Sequence, residues 1–86
     1  MKVRKRNGNI VDYDCQKIIC AIKKANQDVK FEDDRASDDD ISTIIYNIEK
    51  TGFDTLSVEE IQDKIEQNLV KINKYELAKA YILYRY

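Results

Sequence analysis

Three cationic side chains flank a turn and a helix start near the beginning of the sequence. Lys5 and Arg6 precede Asn7-Gly8, and Lys17 lies in the first turn of a helix that Asp14 is expected to cap. A helix N-terminus attracts anions through its unpaired N–H groups, and the separated oxygens of a phosphate need donors from more than one element. We therefore expect a phosphate-binding site between the turn and this helix start.

The same residues also have a purely structural explanation. A basic strand can simply be solvated, and a lysine in a first helical turn, such as Lys17, costs only about 0.3–1 kcal/mol at an exposed site. A basic hairpin can also contact the backbone of a nucleic acid, where binding is dominated by phosphates. A small nucleic-acid-binding module is therefore the alternative to a compact phosphate site.

The remaining composition argues against catalysis. The 86 residues include no His and only two glycines, so glycine-rich phosphate loops are absent and no pair of nucleophile and base is visible. Cys15 and Cys20 fit neither a zinc-ligand nor a redox spacing and are expected to be free thiols. No apolar run approaches the ~20 residues of a membrane span. We expect a cytoplasmic protein with no enzymatic activity and no metal site of its own.

Charge is strongly segregated along the chain. The formal net charge is -1, but residues 1–30 carry +5, residues 31–66 carry -9 and residues 67–86 carry +3. Segregation of this kind indicates a charged partner. It favours an anion bound near the two ends of the chain.

Local signals predict a hairpin followed by a helix at the start of the chain. Lys2–Arg6 and Asn9–Tyr13 flank Asn7-Gly8, the strongest short signal for a two-residue type I′ turn, in which both turn residues have positive φ. The helix that Asp14 caps has apolar residues at helical spacing up to Val29. This helix should bury one face.

Three further helices are predicted in the rest of the chain. Ser37 and Ser57 each begin a capping box that opens a helix, and Phe53–Leu56 can add a third strand between these two helices. The last helix, from Tyr75 to about Tyr84, is apolar on more than one side and is expected to lie centrally.

Four ordered motifs resemble the ATP-cone family over nearly the whole chain. They are Lys5-Arg6-Asn7-Gly8, the run from Asp12 to Ile18, the run from Val58 to Asp63 and the run from Ala78 to Arg85. The resemblance implies an α+β fold, a four-helix bundle capped by a small three-stranded sheet that begins with the N-terminal β-hairpin. The elements read from local signals agree with this fold.

The resemblance also implies which residues surround a nucleotide. Lys5 and Arg6 would contact phosphates or base, Lys17 a phosphate, and Ile18 the base. The implied set is Lys5, Arg6, Val11, Asp12, Tyr13, Asp14, Cys15, Gln16, Lys17, Ile18, Val58, Gln62, Tyr84 and Arg85, with Val58 and Gln62 at the base and Arg85 with its neighbours on the phosphate side. The family pattern has Asp at Asn7, Arg at Cys15 and often a hydroxyl at Val58, so the number of bound nucleotides stays open.

ATP-cones are allosteric modules at the N-terminus of ribonucleotide reductases, where ATP favours activity and dATP inhibits. The resemblance implies that residues 1–86 form one such domain, an N-terminal fragment of a longer chain, and the run Phe53–Asp63 is closest to the anaerobic ribonucleoside-triphosphate reductases. The implied ligands are ATP or dATP, with Mg²⁺ arriving on the nucleotide. The implied partners are the catalytic domain of the parent and other cones by self-association; neither a membrane nor nucleic acid is expected.

Overall fold

The computed structural model describes residues 1–85 and has four helices and a three-stranded sheet. Strands β1 (Lys2–Arg4) and β2 (Ile10–Asp12) precede helix α1 (Cys15–Gln27). A single 3-10 turn (Glu32–Asp34) leads to helix α2 (Asp38–Glu49). Strand β3 (Thr55–Ser57), helix α3 (Val58–Lys71) and helix α4 (Tyr75–Arg85) complete the fold. The predicted α+β architecture is confirmed.

The sheet has the order β2-β1-β3, with β1 antiparallel to β2 and parallel to β3. Val3 at the centre of β1 pairs with Val11 on one side and with Leu56 on the other. Val3 and Leu56 are partly buried against the helical core, whereas Arg4 and Ile10 on the alternate face are exposed. One face of the sheet therefore covers the bundle.

The turn of the hairpin differs from the predicted type I′ turn. Gly8 N–H donates to the Lys5 carbonyl (2.9 Å) and Lys5 N–H donates to the Asn9 carbonyl (2.7 Å), which leaves a three-residue loop of Arg6, Asn7 and Gly8. Gly8 has φ +90°, whereas Asn7 is not in the positive-φ region. Only one residue needs the left-handed conformation, as in three-residue hairpins with a glycine bulge. The predicted hairpin is confirmed, but the predicted type I′ turn is wrong.

The predicted helix caps are present. Asp14 Oδ1 accepts from Gln16 N–H at 3.0 Å, and Ser37 and Ser57 form reciprocal capping boxes with Asp40 and Glu60. These interactions pair N–H groups that a helix start otherwise leaves unsatisfied. The caps fix where α1, α2 and α3 begin.

The core lies between the four helices, and α4 packs against both α1 and α3. The largest fully buried side chains are Ile22, Ile44, Ile48, Ile65, Leu69 and Leu77. The central position expected for α4 is only half right, because Leu77, Ala78 and Tyr81 are buried while Leu83 is 77% exposed.

Both cysteines are free thiols, as predicted. Within residues 1–85, no helix has the length and apolarity to cross a bilayer.

Candidate functional site

A cavity of about 280 Å³ lies between the sheet and the starts of α1 and α3, and we call it the sheet–helix cavity. The β2–α1 connection is only Tyr13 and Asp14, and β3 runs directly into α3, so both helix starts are held against the sheet. The cavity is lined by Val3, Lys5, Val11, Asp12, Tyr13, Asp14, Lys17, Ile18, Ala21, Val58, Ile61, Gln62, Ile65 and Tyr81.

The floor of the sheet–helix cavity is apolar. Ile18, Ile61, Ile65 and Tyr81 belong to the buried core and are each at most 7% exposed. A volume near the lower end of the about 300–1,000 Å³ usual for small-molecule sites suits one flat ring system. Polar parts of a larger ligand would have to lie at the mouth.

Two cationic side chains from different elements line the cavity at its exposed side. Lys5 follows β1, and Lys17 lies in the first turn of α1, which has no acidic residue. The two carboxylates of the lining already have partners, because Asp12 pairs with Lys2 and Asp14 caps α1. The hydrogen bond from Lys2 holds the pKa of Asp12 below its usual range. The lysines are therefore the groups available to an anionic ligand.

Gln62 lines the cavity and carries a carbonyl oxygen that is closed off from solvent. Its Oε1 atom is buried and has no hydrogen-bond partner among the described residues. A buried acceptor without a partner costs about 1–3 kcal/mol, so native proteins rarely keep one without a reason. A ligand in the cavity would remove this cost by donating a hydrogen bond to Oε1 after the Gln62 side chain rotates.

Tyr13 is held in the wall by two residues outside the lining. Its hydroxyl donates to Glu49 Oε2 at 2.9 Å, and its ring meets Phe53 edge-on with centroids 5.6 Å apart. Burial, followed by the Glu49 carboxylate, raises the pKa of Tyr13, so the phenol stays neutral. Tyr13 therefore contributes a fixed aromatic ring and no charge.

Nine of the fourteen residues expected around a nucleotide line the sheet–helix cavity. The nine are Lys5, Val11, Asp12, Tyr13, Asp14, Lys17, Ile18, Val58 and Gln62. The other five lining residues were missed, namely Val3, Ala21, Ile61, Ile65 and Tyr81. All of them except Val3 lie three or four residues from a predicted member of the same helix. That spacing was the available signal. No spacing signal pointed to Glu49 and Phe53, because they contact Tyr13 from a distant part of the chain.

The other five expected residues lie outside the lining. Arg6 Nε pairs with Glu59 Oε1 at 2.9 Å, and Arg85 Nη1 contacts Asp63 at 3.2 Å and also Glu66, which raises the pKa of Arg85. The ring of Tyr84 lies 6.0 Å from Lys24 Nζ. Cys15 and Gln16 complete the five.

The chain is similar to known proteins both by a family model and by individual relatives. The family model for the ATP cone domain matches residues 1–86. The chain is also similar to the vitamin B12-dependent ribonucleoside-diphosphate reductases of two strains of Mycobacterium tuberculosis, with 32% identity over 85 residues. The match covers 98% of this chain and 12% of each relative, so the chain spans a small part of the length of these enzymes.

Proposed function

The chain belongs to the ATP-cone family, and from that premise we propose that it senses ATP against dATP through the sheet–helix cavity. ATP-cone domains bind nucleotide effectors, which supports a regulatory role for the domain itself. The observation that carries the proposal is the cavity, whose lining combines an apolar floor, two lysines and Gln62, and the buried Gln62 carbonyl has no partner within residues 1–85.

Each part of an adenine nucleotide has a counterpart in this cavity. The base would lie on Ile18 and Ile61. Its exocyclic amino group is a donor for Gln62 Oε1 once the Gln62 side chain rotates to turn this buried atom toward the base. The phosphates would lie at the exposed side with Lys5 and Lys17. Anion binding beside Lys17 would also offset the unfavourable placement of a cation in the first turn of α1.

Mg²⁺ is proposed to enter already bound to the phosphates. Within residues 1–85, no group of three or more His, Cys, Asp or Glu side chains could hold a metal ion. Asp12 and Asp14 have partners, and Mg²⁺ commonly binds through substrate phosphates with few protein ligands. The domain would supply cations and N–H groups, and the nucleotide would supply the metal.

The sensing step needs a difference between ATP and dATP, which differ only by the ribose 2′-hydroxyl. A buried polar partner left unpaired in its absence discriminates by about 1–3 kcal/mol. The connection from Val11 to Asp14 lines the cavity and is the proposed ribose contact. An effector shifts activity only if it binds two states unequally, so we propose that the domain changes its conformation or self-association with the nucleotide bound.

The parent protein is proposed to be a ribonucleotide reductase, in which the domain contacts the catalytic region. The anaerobic class favoured by Phe53–Asp63 stays a prediction, because the relatives found carry the name of B12-dependent enzymes. A cytoplasmic location also stays a prediction.

Calorimetric titration tests the binding proposal. ATP should saturate at one or two molecules per chain, whereas a nucleic-acid module would bind oligonucleotides with an affinity that falls steeply with salt. Saturable ATP binding without oligonucleotide binding supports the nucleotide site. Oligonucleotide binding without ATP binding overturns it in favour of the alternative.

Deletion of the domain from its parent tests the regulatory proposal. Turnover without effector should persist, and inhibition by dATP should disappear, because the chemistry resides outside this domain. A truncated enzyme that dATP still inhibits would place the switch elsewhere. Loss of all turnover would give the domain a structural role.

A further inference from the structure

The hairpin loop is joined to the start of α3 by one ion pair. Arg6 belongs to the three-residue loop, and its Nε lies 2.9 Å from Oε1 of Glu59 in the first turn of α3. The side chains are 60% and 48% exposed. Glu59 follows Val58, which lines the sheet–helix cavity, so the pair lies beside the cavity without being part of its wall.

Arg6 has a carboxylate partner, unlike the two lysines that line the cavity. Within residues 1–85, neither Lys5 nor Lys17 has a carboxylate within ion-pair distance. Arg6 directly follows Lys5, and its charge is neutralised by Glu59. A third cation therefore lies in the hairpin loop next to Lys5, and it is paired with an acidic side chain.

We infer that Glu59 competes with the phosphates of the nucleotide for Arg6 and thereby lowers the affinity of the site. This inference rests on the proposed function. Exposed ion pairs are weak, with an equilibrium effect of about 1.5- to 5-fold, whereas an Arg–phosphate contact can be bidentate and stronger. A polyphosphate can therefore displace Glu59 from Arg6. Glu59 is thus an affinity-determining residue that does not itself contact the ligand.

The test is a calorimetric titration of the domain with MgATP in a double-mutant cycle. Glu59→Gln keeps the shape of the side chain and removes its charge, so ATP should bind about two- to fivefold more tightly than to the wild type. In the Arg6→Ala background, Glu59→Gln should leave the affinity unchanged. If the effect of Glu59→Gln on ATP affinity depends on the presence of Arg6, the difference measures the coupling between the two residues.

Glu76→Gln is the matched control. Glu76 is also an exposed acid in a first helical turn, that of α4, and it is outside the lining of the cavity. The substitution makes the same change in net charge, so its effect on ATP affinity measures the long-range contribution alone. Circular dichroism checks folding, and Glu59→Ala provides a second variant should Glu59→Gln perturb the start of α3.

Each outcome decides the inference. Tighter ATP binding by Glu59→Gln only when Arg6 is present supports it. Equal gains with and without Arg6 mean that Glu59 acts by simple repulsion of phosphate, and the competition is overturned. An effect no larger than that of Glu76→Gln also overturns it while the proposed function stands. Absence of ATP binding by the wild type removes the proposed function and this inference together.

Discussion

Replacing Gln62 by methionine should stabilise the free domain and weaken ATP binding at the same time. Methionine matches glutamine in length and lacks the buried Oε1 acceptor, which has no partner among the residues that the structure describes. Such an unpaired group costs about 1–3 kcal/mol, and because Gln62 is only half-buried as a residue we expect a gain of about 1 kcal/mol. For a domain of this size, that gain corresponds to a rise in Tm of about 4–8 °C.

The loss of binding follows from the same atom. If the Gln62 carbonyl accepts a hydrogen bond from the nucleotide, its removal should cost about 0.5–1.5 kcal/mol, or about two- to tenfold in Kd. Urea denaturation followed by circular dichroism measures the free energy of unfolding, and calorimetry measures the Kd for ATP. Gln67→Met, on the exposed side of the same helix, is the control and should change neither quantity appreciably.

The two measurements refute different parts of the reasoning. An unchanged or reduced free energy of unfolding for Gln62→Met would mean that the carbonyl has a partner in solution, such as a bound water. A normal Kd for ATP with increased stability would mean that the carbonyl is unsatisfied but faces away from the nucleotide.

Four other substitutions and one control test the site and the core. Lys17→Ala and Lys5→Ala should each weaken ATP binding by about 1.5–3 kcal/mol, measured by calorimetry, without loss of fold. Lys71→Ala, outside the cavity lining, is the control and should leave the affinity unchanged. Unchanged affinity in both test variants would remove the phosphate site. Ile22→Ala, at a fully buried position, should lower the free energy of unfolding in urea by about 2–5 kcal/mol, and a loss below about 1 kcal/mol would contradict the packing described. Burial raises the pKa of Tyr81 to about 12 from 10.0, so the unfolded chain releases this proton first and stability should fall as pH rises through that interval. Tyr81→Phe should make the fall of stability with pH shallower. Identical profiles of stability against pH for the wild type and Tyr81→Phe would refute the raised pKa of Tyr81.

The sequence determined most of the fold because its strongest signals are local. Asp14, Ser37 and Ser57 cap helices through N–H groups two or three residues away, so the helix starts followed from short patterns. Gly8 located the hairpin, but the turn type depended on how the strands pair on either side. The apolar spacing that defined the helices also set which faces are buried.

The candidate site was only partly determined by the sequence. Residues that follow one another around the start of α1, such as Asp14, Lys17 and Ile18, line the cavity because a single helix carries them. The resemblance to ATP-cones added Val58 and Gln62 from α3, a distant segment that local patterns could not join to the hairpin.

The tertiary structure alone decided the partners of long charged side chains and the burial of individual atoms. Arg6 pairs with Glu59, 53 positions away, and Arg85 turns to Asp63 and Glu66 of α3 instead of lining the cavity. Many acids were available to either arginine, and the sequence has no local rule that selects among them. Packing of the sheet on the bundle makes that selection. The same packing buries the Gln62 carbonyl and leaves it without a partner in the described part of the chain.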